Sequence, residues 1–369
     1  MDIRGKLDGG CIQVGSFLEI IHVNNYKPHL RPGGLLLTFS VLAMAVLVAG
    51  SCSSLPKDEL ERRLQELGKN SALGDLERIP FTADLGDGPQ EFELLHYRTA
   101  ARAPVDDVPI VLVHGTPSTL FSWTELIHGN PATEGSKGFA GLSAERDVYA
   151  IEVIGHGIAS GPSSPVSFER CARFVASALR ALEIERAHLV GSSYGGEFAW
   201  RAALNAPELI ETLTLIDSSG LQRREQDWLP EEVVMRDNSM AKFGWVLNSR
   251  ERIRTALAPH FRVLPPDRVE EFFLLCENAE NWAAMIDLAR DENGERQEEL
   301  RRLLRPTLVL WGAKDLAYPV DVYGQRFADE IPDAEFVTVP DCGHYPHEER
   351  PEEVIRVLSS FLDAHRSTP

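Results

Sequence analysis

The stretch Ala187-His188-Leu189-Val190-Gly191-Ser192-Ser193-Tyr194-Gly195-Gly196 decides how the rest of the chain is read. Residues 187–190 suit a short buried strand, and Glu197 to Asn205 takes a helical pattern. Between them stands a serine with glycines two places to either side, G-x-S-x-G. A nucleophile on a sharp strand-to-helix turn needs neighbours without bulk, and the helix N-terminus then faces the oxygen that develops charge. Gly191 and Gly195 supply that room, and Ser193 is the candidate nucleophile. Ser192 lies one place off the centre of the pattern. The five-residue pattern alone arises often by chance, so its surroundings carry the weight.

Those surroundings alternate short apolar runs with helical segments, the signature of an α/β sheet. Glu77 to Leu85 and Glu91 to Arg98 read as a hairpin closed by Gly86-Asp87-Gly88. Pro109 to Val113 has no polar alternation, which suits a strand buried on both faces. Val148 to Val153 follows as a strand, Ser167 to Leu182 as a helix capped by Ser167, and Leu213 to Ile216 as a strand. From Leu221 to about Leu304 the strand signal stops and helical periods dominate. Strands resume at Thr307 to Trp311 and Glu335 to Val339, and a last helix spans Glu352 to His365. The expected order is a sheet core over 76–220, a helical cap over 221–304 and the rest of the core over 305–369.

Three more loops fall where chemistry would need them. His114-Gly115-Thr116-Pro117 follows a strand, where Thr116 N–H could reach the same oxygen as Tyr194 N–H; such a donor pair stabilises a tetrahedral oxyanion. Asp315 stands just beyond the strand ending at Trp311, and His344 follows the last strand in Asp341-Cys342-Gly343-His344. Asp217, after the strand ending at Ile216, is an alternative acid. His114 reads as a scaffold for its own loop, His347 as structural, and Cys342 as buried and inert.

With Gly155-His156-Gly157, Ser160, Trp123 and the ending from His344 through Glu349 to Pro351, residues 108–361 resemble the α/β-hydrolase family. The resemblance implies a mostly parallel, doubly wound sheet of eight-stranded type with a helical cap inserted before the last strands. It assigns attack to Ser193, proton transfer to His344, orientation of the imidazole to Asp315, and an oxyanion hole to the N–H groups of Thr116 and Tyr194. The chain order Ser, Asp, His is the family's. No metal or organic cofactor is required. The chain departs from the family at Glu152, where an aspartate is usual, a difference expected to bear on packing. Relatives that open epoxides or displace halide use an aspartate nucleophile, so Ser193 points instead to acyl transfer. Esters and lipid-like acyl compounds lead, with thioesters and activated carbon-carbon bonds as alternatives; the carbon-carbon hydrolases often carry tryptophan after the catalytic histidine, where this chain has Tyr345. A binding lipoprotein that kept the fold without activity is the remaining reading.

The totals agree with a globular enzyme. The chain has 369 residues, 43% hydrophobic and 25% charged, enough for a sizeable core. A formal net charge of -19 argues against a nucleic-acid partner, which needs Lys and Arg against phosphates. The five cysteines include no C-x-x-C pair, so a structural zinc site is not expected. The cap region holds three of six tryptophans and three of five methionines, among them Trp228, Met240, Trp245 and Trp282. These either line an apolar substrate pocket or form the cap's own core, and the second reading carries more weight.

The N-terminus stands apart. Leu35 to Gly50 is an uncharged apolar run after Lys27 and Arg31, shorter than the roughly 20 residues of a spanning helix and closer to a signal-peptide core. It leads through Ala49-Gly50-Ser51 into Cys52. That arrangement resembles a bacterial lipoprotein signal, with Cys52 lipidated and the enzyme held at the cell envelope; Ala49 stands where leucine is usual. An uncleaved N-terminal anchor is the alternative, and a plain cleaved signal or a later start a third. Residues 1–51 are therefore set apart from the fold, and 52–75 are expected to be a tether, with the charged helix inside Ser53 to Lys69 solvated. Gly129 to Gly141 is expected to emerge at the end of the sheet opposite the catalytic loops.

Overall fold

The computed structural model describes residues 54–67, 74–132, 137–159, 165–228, 230–237, 241 and 248–366. The apolar run, Cys52, Ser160, Met240, Phe243 and Trp245 lie outside the described residues. Among the described residues no helix is long and apolar enough to cross a membrane.

The strands are β1 (Glu77–Asp84), β2 (Pro89–Thr99), β3 (Ile110–Val113), β4 (Gly129–Asn130), β5 (Phe139–Ala140), β6 (Val148–Ile151), β7 (Ala187–Ser192), β8 (Ile210–Ile216), β9 (Thr307–Gly312) and β10 (Glu335–Val339). Eight of them form one sheet in the order β1-β2-β6-β3-β7-β8-β9-β10. From β6 onward every pairing is parallel, and β2 joins antiparallel as the outer hairpin. The turn of that hairpin is closed by Asp84 Oδ1, which accepts from Gly86 N at 2.8 Å and Gly88 N at 3.0 Å.

The uninterrupted apolar run of β3 has a direct cause. Val111 and Val113 face one hydrophobic core while Ile110 and Leu112 face another, all four fully buried. Leu189 and Val190 of β7 divide in the same way. Each face is therefore covered, as parallel sheets require. Helices α1 (Lys57–Glu66), α2 (Thr124–His128), α3 (Phe168–Ala181), α4 (Tyr194–Asn205), α5 (Pro230–Asp237), α6 (Arg250–Leu257), α7 (Pro266–Glu277), α8 (Ala279–Asp291), α9 (Gly324–Glu330), α10 (Pro346–Glu349) and α11 (Pro351–Ala364) supply the cover and the cap. Phe168, Phe174 and Phe198 of α3 and α4 pack in the first core, Val354, Leu358 and Phe361 of α11 in the second.

The span between β8 and β9 holds α5 to α8. Among the described cap residues the apolar side chains mainly pack on one another: Ile253, Leu257, Phe261, Val269, Phe272, Cys276 and Met285 form one cluster with Tyr345 from the histidine loop. The insertion at 129–141 closes through the β4–β5 hairpin and leads by residues 142–144 to Val148, the N-terminal end of β6. Ser193 follows the C-terminal end of β7, so the two lie at opposite ends of the sheet.

Two expectations need correction. The helix after the serine begins at Tyr194 rather than Glu197, because Gly195 and Gly196 sit inside its first turn. Residues 57–66 are helical as expected but are not a solvated tether. Leu60 and Leu64 are fully buried in the second core, and Leu55 and Ser54 are hydrogen-bonded to the turn between α7 and α8. An i, i+4 leucine pair among ten mostly charged residues was too narrow a stripe to signal burial by itself.

Candidate active site

Ser193 sits at the turn from β7 into α4 with φ 56°, a backbone conformation unusual for a residue bearing a side chain. Its N–H donates to Ile216 O at 2.9 Å, and its carbonyl accepts from Gly196 N at 2.9 Å and Ser219 N at 3.2 Å, so the turn is held from β8 as well as from its own helix. The two glycines of the pattern are needed for close approach. A Cβ on Gly191 would strike the Gly195 carbonyl, and one on Gly195 would strike the carbonyls of Val113 and His114. A Cβ on Gly115 would come within 2.8 Å of Ser193 Cβ, which shows how closely the loop bearing Thr116 lies against the serine.

His344 faces Ser193 from the loop after β10. Its Nε2 lies 3.0 Å from Ser193 Oγ and its Nδ1 lies 2.7 Å from Asp315 Oδ2. With Nδ1–H donated to the carboxylate, Nε2 keeps its lone pair for the serine hydroxyl. Asp315 Oδ1 accepts from Ala317 N at 2.8 Å and Tyr318 N at 3.1 Å. Burial pushes the Asp315 carboxyl upward, but His344 and these amides outweigh it and hold it below the usual range. All three side chains are buried, which strengthens each interaction in the line.

Asp217 lies beside this line, its carboxyl against that of Asp315. Its Oδ1 accepts from Gly312 N at 3.0 Å, and its Oδ2 is buried with no donor. Burial, and then the negative charge of Asp315, push its carboxyl well above the ordinary range, so of the two neighbouring acids Asp217 is the one that keeps a proton. Asp217, Asp315 and His344 are also the residues whose ligand atoms lie within 4.8 Å of one another. Both ring nitrogens of His344 are already engaged with Ser193 and Asp315, an arrangement suited to proton transfer rather than to holding a metal ion.

Tyr194 is the first residue of α4, where an N–H has no acceptor inside the helix. Thr116 is placed by its neighbours: its hydroxyl makes a short hydrogen bond with His156 Nε2, and His114 Nδ1 bonds Gly115 O at 2.8 Å. His114 Nε2 accepts from Val153 N at 3.2 Å, and burial lowers its pKa to about 3, so it is a neutral scaffold as expected. His347 is buried against Trp123, with ring centroids 4.3 Å apart, and Cys342 is buried with its thiol pushed up by desolvation. Ser192 Oγ is buried without a hydrogen-bond partner.

Glu152 does more than pack. Its Oε2 accepts from Leu120 N at 2.8 Å and its Oε1 from Ile158 N at 3.1 Å, which ties the loop after β3 to the loop after β6. Burial raises its pKa to about 8.

Sequence reasoning missed three residues around the site. His260, in a short turn of the cap, accepts from His344 N through its carbonyl at 2.8 Å and lays its ring 5.4 Å from the His344 ring. Tyr318 stacks on His344 at 5.5 Å from the opposite loop. Glu292, at the end of α8, accepts from Tyr318 OH at 2.6 Å and from Tyr194 OH at 2.8 Å. It thereby joins the serine turn to the aspartate loop, and only a distant pairing between positions 194, 292 and 318 could have signalled it.

Comparison with known proteins gives the family. A family model described as the alpha/beta hydrolase family matches residues 110–357. The chain is 29% identical over 268 residues to the dihydrolipoyllysine-residue acetyltransferase component of the acetoin cleaving system of Pseudomonas putida, covering 70% of this chain and 64% of that protein. It is 26% identical to 2-hydroxymuconate semialdehyde hydrolase of Pseudomonas putida, covering 72% of this chain and 91% of that protein. Among solved structures, a membrane phospholipase A shares the fold with a TM-score of 0.64 at 23% identity, covering 91% of this chain and 98% of that one. An esterase from Thermogutta terrifontis does so with a TM-score of 0.63 at 23% identity, covering 79% of this chain and all (100%) of that one. The chain is a hydrolase of the alpha/beta hydrolase family.

Proposed function

We propose that the protein hydrolyses a carboxylic ester or a related acyl compound through an acyl-enzyme on Ser193. The observation that carries this reading is the unbroken line from Asp315 to His344 to Ser193, at 2.7 and 3.0 Å. His344 takes the serine proton as Oγ attacks the carbonyl carbon, then returns it to the leaving alcohol; water repeats the cycle to release the acid. Thr116 and Tyr194 offer their N–H groups to the oxyanion, and Asp315 steadies the imidazolium.

A second reading, hydrolysis of an activated carbon-carbon bond, is favoured by relatives such as the 2-hydroxymuconate semialdehyde hydrolase at 26% identity. Against it stands Tyr345, whose ring lies 4.9 Å from His344 and stacks on Phe261 at 4.7 Å in the cap cluster. For residues 35–52 we propose a lipid anchor on Cys52, supported by the uncharged run and the small residues before the cysteine.

Three measurements test these readings. With p-nitrophenyl esters of rising chain length, the wild type turns over at least one and Ser193→Ala loses turnover. Turnover of a 2-hydroxy-6-oxo-dienoate without any ester hydrolysis would hand the function to the carbon-carbon reading. Asp315→Asn lowers kcat on the same ester far more than Asp217→Asn, since a neutral amide can replace a carboxyl that already keeps its proton; the reverse ranking would make Asp217 the working acid. Mass spectrometry of the mature N-terminus finds lipidated Cys52, and an unmodified residue 52 or a retained residue 1 would rule the anchor out.

A further inference from the structure

The docked helix α1 makes one contact that burial of its leucines does not require. Lys57 Nζ, in its first turn, donates to Gly157 O at 2.7 Å and to Asn281 Oδ1 at 2.5 Å. Asn281 Nδ2 donates to the same Gly157 O at 3.0 Å, so that carbonyl has both lone pairs filled, one from α1 and one from α8 of the cap. Asn281 is itself fixed, its N–H donating to Asn278 Oδ1 at 3.0 Å.

The loop held in this way leads straight to the site. His156, next to Gly157, bonds the Thr116 hydroxyl through Nε2, and its Nδ1 lies 2.9 Å from Ile154 O. Gly157 has φ 46° and touches Glu152, the carboxyl that holds Leu120 N and Ile158 N. A small cavity lined by Thr116, Pro117, Gly155, His156, Gly157 and Asn281 lies between the two loops. Hydrogen bonds from Glu152 and His156 cross between the same two loops beside it. Burial lowers the Lys57 pKa to about 8, against the pull of the Glu280 and Glu152 carboxyls.

We propose that α1 is part of the catalytic framework, with Lys57 a positioning residue that acts through Gly157 and His156 on the Thr116 N–H. The inference rests on the acyl-transfer reading, because it concerns an oxyanion donor of that reaction. It gives the segment between the apolar N-terminal run and the sheet a role in turnover as well as in attachment. A shift of about 1 Å in such a donor is enough to slow a reaction substantially.

The test compares full-length wild type, Lys57→Met and Lys57→Arg, measuring single-turnover acylation by p-nitrophenyl acetate and hydrogen exchange of residues 114–120 and 152–159. The expected result is acylation slowed about tenfold in Lys57→Met with KM little changed, faster exchange in both loops, and partial recovery in Lys57→Arg. Acylation of Lys57→Met at the wild-type rate with unchanged exchange would overturn the proposal. Absence of acylation in the wild type would instead sink the acyl-transfer reading, and the exchange comparison then still decides whether Lys57 holds the loops. If Lys57→Met does not fold, Lys57→Ala, which also removes the donor and suits a helix, takes its place with the same expectations.

Discussion

The architecture around the site follows from the cramped turn at Ser193. To hold the serine at φ 56° on the end of a central strand, the chain brings α4 so close to β7 and β3 that no side chain fits at Gly191 or Gly195. The same crowding presses Gly115 against Ser193 and so sets where the Thr116 N–H can point. A turn of this kind stores backbone strain, and the anchoring of Ser193 N–H on Ile216 O and of its carbonyl on two amides opposes relaxation. His344 and Asp315 need only be delivered to it by the loops after β10 and β9, which parallel strands end on the same side.

That order of dependence explains what was readable in the sequence. The β7 run, the glycine spacing and the strands at Ile110–Val113, Thr307–Gly312 and Glu335–Val339 carry their reasons locally, in aliphatic runs and small residues. Ser193, Asp315 and His344 each stand next to such a strand end, so their meeting could be anticipated from chain order. Asp217 could not be separated from Asp315 in this way, since both follow strand ends; what separates them is which carboxylate reaches Nδ1 of His344. His260 and Glu292 were invisible because they come from the cap, where helical periodicity gives no direction relative to the sheet.

The N-terminal helix shows the same limit at a larger scale. Its sequence, with Asp58, Glu59, Glu61, Arg62 and Arg63 around Leu60 and Leu64, describes a solvated helix equally well. Its exposed face is laced by pairs such as Arg62 with Glu59, while Leu60, Leu64, Lys57 and the pair of Glu61 with Arg78 attach it to the body. Burial of two leucines and a lysine bonded to two acceptors turn a charged segment into a strut between cap and core. Glu152 makes a comparable point in the core, where one extra methylene relative to aspartate lets a single carboxyl reach amides on two separate loops.

A fluorophosphonate probe followed by peptide mapping identifies the nucleophile, because the probe reacts with an activated serine and leaves its own mass on it. One adduct is expected on Ser193 in the wild type and none in Ser193→Ala or in heat-denatured protein. Labelling that survives Ser193→Ala, or an adduct found on Ser192, would contradict it.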